Sequence, residues 1–217
     1  MATKKKVKEY KQEIIVPLVA GEPDAVYINP SKRYSYADYL TWTDDTRREL
    51  IDGIVYVLSA PSRFHAEISG SIWEKFRAFI KKRKGDCKVY FAPFDVRFPN
   101  NGETDNKKIY TVVQPDICVI CDPSKLDAKG CIGAPDLIVE VQSMSTAKKD
   151  MREKFDLYEK FGVKEYWIVF PDKAITVFKL GKNGKYDQGT AYQFEGKVPV
   201  GIFKGLKIDL EELFQDI

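Results

Sequence analysis

The first clear pattern of apolar and polar residues is a pair of short apolar runs in RELIDGIVYVLS, residues 48–59. They flank Asp52 and Gly53, a residue pair that a type I′ turn favours because both central positions need a positive φ. The next stretch has helical spacing, and its apolar face consists of Phe64, Ile68, Ile72, Phe76 and Phe79 or Ile80. We therefore predict a β-hairpin and then a long helix, which Ser62 caps and a left-handed Gly85 ends.

Apolar runs farther along the chain predict a sheet. KVYFAPFDVRF and YTVVQPDICVIC each have the composition of a strand, and DLIVEVQ is so apolar that we expect burial on both faces. A helix capped by Ser145 or Thr146 and ending at Gly162 follows, and then the strands EYWIVF and AITVFKL and a short helix, DLEELF. This order predicts an α/β fold, in which helices flank a mixed sheet.

Composition and length favour one domain. The chain has 217 residues, 44% of them hydrophobic and 31% charged, which suits one well-buried core. Residues 1–33 are basic and then interrupted by prolines, so we predict an N-terminal arm with a short strand at 13–17, followed by a single domain at 34–217. No apolar run approaches the roughly 20 residues that span a bilayer, and the first residues lack the apolar stretch of a secretory signal. We predict a cytoplasmic location.

Positive charge is concentrated in one segment. The net charge is only +3, but seven Lys or Arg residues lie between Lys75 and Lys88. Such a cluster either contacts phosphates or forms a solvated helix end, and charge alone favours the second interpretation.

Cys118 and Cys121 form a CxxC, a spacing associated with zinc and redox chemistry. They lie within the apolar run DICVIC, where strand geometry directs the two side chains to opposite faces. We therefore predict that both are core cysteines.

Two acidic residues interrupt the apolar strands. Asp116 lies in VVQPDICVIC and Glu140 in DLIVEVQ. A buried carboxylate is costly unless a cation or a hydrogen-bond donor accompanies it. Pro115 cannot donate to a ladder, so we expect the strand to bend or lose pairing just before Asp116. If neighbouring strands bring the two acids together, Mg²⁺ is a suitable partner.

A set of ordered motifs gives these acids a context. It comprises ELIDG, a histidine at the start of a helix, PD, APDLIVEV with Ser and Thr after it, D-x3-K-x3-Y, and GVKEYWIV, all within residues 47–186. This set resembles the Uma-two family of restriction endonuclease-like proteins, a branch of the PD-(D/E)XK nuclease superfamily. The resemblance implies a restriction-endonuclease-like core.

The resemblance also implies roles for individual residues. Asp116 is the aspartate of PD and Glu140 the acidic residue of (D/E)XK, and with the carbonyl of Val141 they are expected to hold Mg²⁺ or Mn²⁺. Gln142 stands where the motif has lysine, so the chain departs from it and catalysis is put in question. Relatives place a lysine on the following helix, which here is Lys154; Lys154 is otherwise a surface pair with Asp150.

Two further residues match the family pattern. Glu49, in ELIDG, is expected to bind the metal or a water of the metal, although a solvent-facing strand glutamate is equally compatible. His65, the single histidine, is expected to position a water, contact a phosphate or bind a carboxylate of the site. A structural role at the helix start is the other interpretation.

These features predict a metal-dependent endonuclease acting on nucleic acid, in the first place DNA, and by analogy a homodimer. The alternative is an inactive nuclease fold that binds nucleic acid or a protein partner. A third interpretation is a metal-free hydrolase that uses Ser59 or Ser62 with His65, but the chain lacks the G-x-S-x-G motif.

Overall fold

The computed structural model describes residues 28–142, 147–193 and 196–215, apart from the side chains of 147–151. Its helices are α1 (Tyr36–Tyr39), α2 (Arg63–Arg83), α3 (Ala147–Phe161) and α4 (Leu210–Phe214). Its strands are β1 (Arg48–Ile51), β2 (Ile54–Val57), β3 (Lys88–Phe91), β4 (Val96–Arg97), β5 (Val112–Val113), β6 (Ile117–Ile120), β7 (Leu126–Asp127), β8 (Gly130–Ile132), β9 (Leu137–Val141), β10 (Glu165–Val169), β11 (Ala174–Lys179), β12 (Thr190–Gln193), β13 (Lys197–Pro199) and β14 (Lys207–Asp209). The predicted strand at 13–17, the cap residues Ser145 and Thr146, and the side chain of Asp150 lie outside this description.

The strands form two mixed six-stranded sheets and a separate β13–β14 pair. We call the first the central sheet; its order is β12-β11-β10-β9-β6-β3, with only β9 and β10 parallel within it. The second, the hairpin sheet, has the order β2-β1-β5-β4-β8-β7, with β4 and β8 parallel. The predicted α/β fold with a mixed sheet and flanking helices is confirmed.

Two of the predicted strands are divided between these sheets. KVYFAPFDVRF forms β3 in the central sheet and β4 in the hairpin sheet, and YTVVQPDICVIC forms β5 and β6. The division at Pro93 and the assignment of each run to two sheets were not predicted; both prolines interrupt their runs because they cannot donate to a ladder. The predicted loss of pairing at Pro115 is confirmed: β5 ends two residues before Pro115, and β6 begins two residues after it.

The hairpin and the long helix form as predicted, with one difference at the helix end. Asp52 and Gly53 have φ values of 48° and 78°, as a type I′ turn requires. The Ser62 side chain accepts a hydrogen bond from the N–H of His65 and so caps α2. The left-handed residue after α2 is Lys84 (φ 54°) rather than the predicted Gly85, since the helix ends one residue earlier.

The helices cover opposite faces of the central sheet. Ile68, Ile72 and Phe76 of α2 pack with α4 residues on one face, together with Val139, Val141 and Trp167. Leu157 and Tyr158 of α3 pack on the other face with Ile138, Tyr166 and Ile168. Strand alternation therefore directs Glu140, like Ile138, toward α3. None of the helices in the described ranges combines the length and apolar character that crossing a membrane requires.

The cysteine prediction was right for Cys118 and wrong for Cys121. Cys118 is buried in the α3-side core, whereas Cys121 forms a disulfide with Cys87. The pairing follows from the antiparallel register of β3 and β6, because Lys88 faces Ile120 and the next positions outward are the two cysteines. The spacing of the cysteines along the sequence does not reveal that register.

Candidate active site

Asp116 and Glu140 face each other across neighbouring strands of the central sheet. The register that pairs Ile117 with Val139 continues to Asp116 opposite Glu140. Side chains directly opposite in an antiparallel pair have Cβ atoms about 4.5–5.5 Å apart. Asp116 Oδ2 also accepts a 2.7 Å hydrogen bond from the N–H of Val141. The end of β9 and the start of β6 thus bring the two predicted carboxylates together.

His65 joins this pair from the first turn of α2. Its Nε2 lies 2.9 Å from Asp116 Oδ2, so the histidine and the backbone of Val141 contact the same oxygen. Burial lowers the pKa of His65, but the hydrogen bond and charge of Asp116 and the charge of Glu140 outweigh it. The net result is a raised pKa. His65 therefore contacts a carboxylate of the site, which is one of the roles predicted for it.

Lys154 and Tyr158 approach Glu140 from α3. Lys154 Nζ is 2.9 Å and the Tyr158 hydroxyl 2.6 Å from Glu140 Oε1, because residues four apart share one helix face. Burial raises the pKa of Glu140 to about 7, despite the opposing charge of Lys154 and with a further raising effect of Asp116. Burial acts to lower the pKa of Lys154, but the nearby carboxylates, Glu140 first, raise it well above its usual value.

Glu49 lies on β1 of the hairpin sheet and reaches the same site as Glu140 and Lys154. It is 2% exposed, and its Oε1 accepts hydrogen bonds from Lys154 Nζ at 3.1 Å and from the N–H of Gln114 at 2.8 Å. One ammonium group therefore bridges two carboxylates, the buried Glu49 and the partly buried Glu140. Glu49 is thus not a solvent-facing strand glutamate, and the Lys154 side chain is only 15% exposed, so it is not a surface group. The side chain of Asp150, its alternative partner, lies outside the described residues.

Gln142 extends the strand that carries Glu140. Its N–H donates a 2.8 Å hydrogen bond to the carbonyl of Val169, and its side chain is half-buried. The role of its amide in the site stays a prediction, as does the role of the Val141 carbonyl as a metal ligand.

Sequence reasoning missed a polar network that supports Glu49. The side-chain oxygen of Gln114 accepts hydrogen bonds from Arg47 Nε at 3.2 Å and Nη2 at 3.1 Å, and its amide donates to the Tyr39 hydroxyl and to Asp95 Oδ1. The charge of Arg47 also acts to lower the pKa of His65, which indicates that it lies near the histidine. The available signal was a glutamine directly before PD in an apolar run.

Ser62 has a structural role. Its hydroxyl accepts the hydrogen bond of the His65 N–H, as the N-cap of α2. This contact, made by the backbone of His65 rather than by its imidazole, gives no support to a serine hydrolase built on Ser62.

Comparison with known proteins identifies the family of this chain. The model of the Uma2 family, described as "Putative restriction endonuclease", matches residues 36–211. The chain belongs to the Uma2 family. A crystal structure described as "a putative nuclease belonging to DUF820" from Anabaena variabilis aligns with a TM-score of 0.67 and 17% identity, over 84% of this chain and 98% of that one. That likeness shows a shared fold. No curated protein matches the chain. Uma2 membership supports a nuclease function.

The carboxylates of this Uma2 protein fit a hard divalent cation. In the described part of the chain, no group of three or more His, Cys, Asp or Glu side chains is arranged to hold a metal ion. Mg²⁺ commonly takes only one or two carboxylates and completes its shell with water and substrate phosphate. Burial and the charges of Asp116 and Glu49 raise the pKa of Glu140, so an additional cation at this place would favour its carboxylate form. Asp116 and Glu140 are therefore a suitable pair of ligands.

Proposed function

We propose that this protein is an endonuclease that uses Mg²⁺ or Mn²⁺ to hydrolyse phosphodiester bonds, with DNA as the substrate. The observation that carries the proposal is the position of Asp116 opposite Glu140, with the ammonium of Lys154 2.9 Å from Glu140. Two acids and one cation at the end of a buried strand are the groups that phosphodiester hydrolysis requires.

Asp116 and Glu140 would hold the ion, with the carbonyl of Val141 as a further ligand. When bound, the ion supplies Lewis-acid catalysis to the phosphoryl group and lowers the pKa of a bound water. His65 and the N–H of Val141 fix the orientation of Asp116, because both contact its Oδ2. They act on the reaction by positioning that carboxylate.

Lys154 would stabilise the negative charge that develops on phosphorus as the water oxygen bonds to it and the ester bond breaks. Lysine at this place compensates for Gln142, which has no charge but can orient the attacking water through its amide. Glu49 holds the Lys154 ammonium toward Glu140. Glu49 is therefore proposed as a positioning residue.

The outer face of α2 would contact the substrate backbone. Arg77, Lys81 and Lys82 are exposed on this helix, whose first turn carries His65. Cations on the helix that carries His65 attract a polyanion and can position it without reading its sequence. Two copies of the chain would be needed to cut both strands of a duplex, which is the reason to propose a homodimer.

Cleavage of plasmid and single-stranded DNA with Mg²⁺ or Mn²⁺ tests the proposal. Asp116→Ala should lower the rate by about 100-fold or more, as the loss of a preorganised charged group in an active site does. EDTA should abolish cleavage. Lys185→Ala, which removes only a surface pair with Glu159, serves as the control and should cut at the wild-type rate. Equal activity of wild type and Asp116→Ala, or activity that survives EDTA, contradicts the proposal.

The alternative is a nuclease fold that binds nucleic acid or a protein partner without cutting it. The observation in its favour is Gln142, at the position where the superfamily motif has lysine. Mn²⁺ that stabilises the wild-type protein but not Asp116→Ala against heat, with no cleavage under either ion, would support this alternative over the enzyme.

A further inference from the structure

A partly exposed aromatic pair lies at β3, the outer strand of the central sheet, beside the strand that follows Asp116. Phe91 ends β3 and is 56% exposed. The Trp73 ring of α2 packs edge-on against it at 5.2 Å between centroids, and the Arg77 guanidinium lies 4.9 Å from the centre of the Trp73 ring. We call these three residues the aromatic platform. We propose that it stacks an unpaired nucleobase, so that the preferred substrate is single-stranded or locally unpaired nucleic acid; this rests on the proposed nuclease function.

The position of the platform connects it to the candidate active site. Phe91 pairs with Ile117, the residue after Asp116, and the N–H of Ala92 donates a 3.1 Å hydrogen bond to the Asp116 carbonyl. The backbones of Phe91 and Asp116 are thus in contact at one end of the central sheet, with the Phe91 ring on the face that α2 covers and the Asp116 carboxylate directed to the α3 face. A nucleic-acid strand that passes around this end of the sheet, where His65 of α2 contacts Asp116, can place a phosphate at Asp116 and a nearby base on Phe91.

The platform is also held in place before any ligand binds. Trp73 Nε1 donates to the carbonyl of Val89 on β3, and the packing of Trp73 against Phe91 orients both rings. A stacking surface that is already ordered loses little conformational entropy on binding.

Charge around the platform favours a nucleic acid over an apolar partner. Arg77, Lys81 and Lys88 are exposed on α2 and β3, while Glu74 and Asp86 are the exposed acids in the same segment. Aromatic rings combined with Arg and Lys are the usual composition of single-strand binding grooves, in which bases stack and cations follow the backbone. In a duplex the bases are already stacked on one another, so they cannot reach Phe91.

The competing explanation is contact between two copies of the chain. β3 is an edge strand of the central sheet, and exposed edges invite pairing. In a two-fold symmetric pair, however, Arg77 and Lys88 of both copies would be brought close to each other. Like charges disfavour that arrangement, so we treat self-association as an outcome to be tested.

Binding of labelled oligonucleotides in EDTA tests the platform without cleavage. The ligands are single strands of about 15 nucleotides, a length that typical single-strand sites accommodate, the same length of abasic backbone, and a blunt duplex. Phe91→Ala should weaken single-strand binding by about tenfold, since one stacked base contributes roughly that much. Binding to the abasic strand and to the duplex should be unchanged. Phe91→Trp should retain wild-type affinity.

Tyr110→Ala is the matched control, because Tyr110 is an exposed aromatic residue outside the platform. It should bind all three ligands as the wild type does. Equal single-strand affinity of wild type and Phe91→Ala would overturn the inference. A change of oligomeric state in Phe91→Ala, seen by light scattering without loss of single-strand affinity, would assign the surface to self-association instead. If the wild type binds single strands through Phe91 but does not cleave them with Mg²⁺ or Mn²⁺, the proposed nuclease function is rejected and the stacking role of the platform is kept. If wild type and Phe91→Ala cleave single strands at equal rates, the nuclease function is kept and the stacking role is rejected.

Discussion

The central sheet carries an acidic pair at each of its two ends, partly buried at one end and buried at the other, and the two pairs are balanced differently. Asp116 and Glu140 lie where β6 begins and β9 ends, and Asp136 and Glu165 lie where β9 and β10 begin. Each end also has a lysine bound to one of its acids, Lys154 to Glu140 and Lys164 to Asp136.

At the Asp136 end, each acid has its own separate donors. Asp136 accepts hydrogen bonds from the N–H of Cys121 and from Lys164, which is 68% exposed. Glu165 accepts from the Trp167 indole N–H and from the N–H of Ile202. Three of these four contacts tie one segment of the chain to another, and the Trp167 contact lies within β10, so this end has a structural function.

At the Asp116 end, the acids share their surroundings. Lys154 lies between Glu49 and Glu140, and Asp116 acts with burial to raise the pKa of Glu140. Carboxylates whose charges interact have a capacity for a cation that separately satisfied ones lack. The lesson of the comparison is that convergence of acids, rather than their burial, distinguishes the candidate active site.

Replacing one glutamate with glutamine at each end of the central sheet should give the largest difference in DNA cleavage between the two ends. Glu140→Gln should lower DNA cleavage by about 100-fold or more, because it removes a charge from the candidate metal site. Glu165→Gln should cleave at the wild-type rate but lose about 1–3 kcal/mol in free energy of unfolding, since an amide nitrogen cannot accept one of the two N–H bonds. Cleavage assays and urea denaturation of both variants measure the two effects.

The pH dependence of stability adds a control to that experiment. Glu140, with its pKa raised to about 7, binds a proton in the folded state that it loses near its ordinary value of 4.5 when unfolded. Wild-type stability should therefore fall as pH rises through this window, and the fall should be smaller in Glu140→Gln. Loss of cleavage in both glutamate variants, or in neither, would remove the functional distinction between the two ends.

Replacing the lysine at each end with methionine should lower the free energy of unfolding by different amounts. Lys154→Met leaves Glu49 and Glu140 buried without their shared cation, which should cost about 3–5 kcal/mol at neutral pH. Lys164→Met removes a pair whose lysine is mostly exposed, and it should cost less than about 1 kcal/mol. The Lys154→Met cost should shrink at low pH, where Glu140 is protonated. Equal costs in urea denaturation would contradict the unequal balance of the two ends.

Much of this site was predictable from the sequence, because the required signals are local or familial. An acid inside an apolar strand identified Asp116 and Glu140, and the resemblance to the Uma-two family added Glu49, His65 and Lys154. Asp136 follows a proline as Asp116 does, but its place at the start of a strand favours a turn role. The structure shows a structural role of another kind, because its carboxylate accepts long-range hydrogen bonds from the N–H of Cys121 and from Lys164.

The remainder depended on the register between distant strands. The sequence did not reveal that the runs through Pro93 and Pro115 are divided between two sheets, and so it did not reveal the approach of the hairpin that brings Glu49 to Lys154. Gln114 and Arg47 became visible only when β1 and β5 were paired. Likewise, the Cys87–Cys121 disulfide follows from the pairing of β3 with β6. Periodicity within one segment does not determine such pairings.

The ionisation of His65 offers the finest test of the comparison. The chain has one histidine, so its imidazole gives a single titrating signal in NMR spectra. The raised pKa of His65 depends on Asp116, so Asp116→Asn should lower it, while Asp136→Asn at the other end should leave it unchanged. Arg47→Gln should raise it slightly, because the guanidinium opposes protonation. A group with a raised folded pKa stabilises the protein below its unfolded pKa and loses that effect as pH rises through the folded pKa. The stability difference between wild type and His65→Gln should accordingly decrease as the pH rises above the ordinary histidine pKa of 6.5 and through the raised pKa of the folded state. A His65 pKa that responds equally to Asp116→Asn and Asp136→Asn would mean that the protein's overall charge sets it, and the pairing at the candidate site would then have no measurable electrostatic effect.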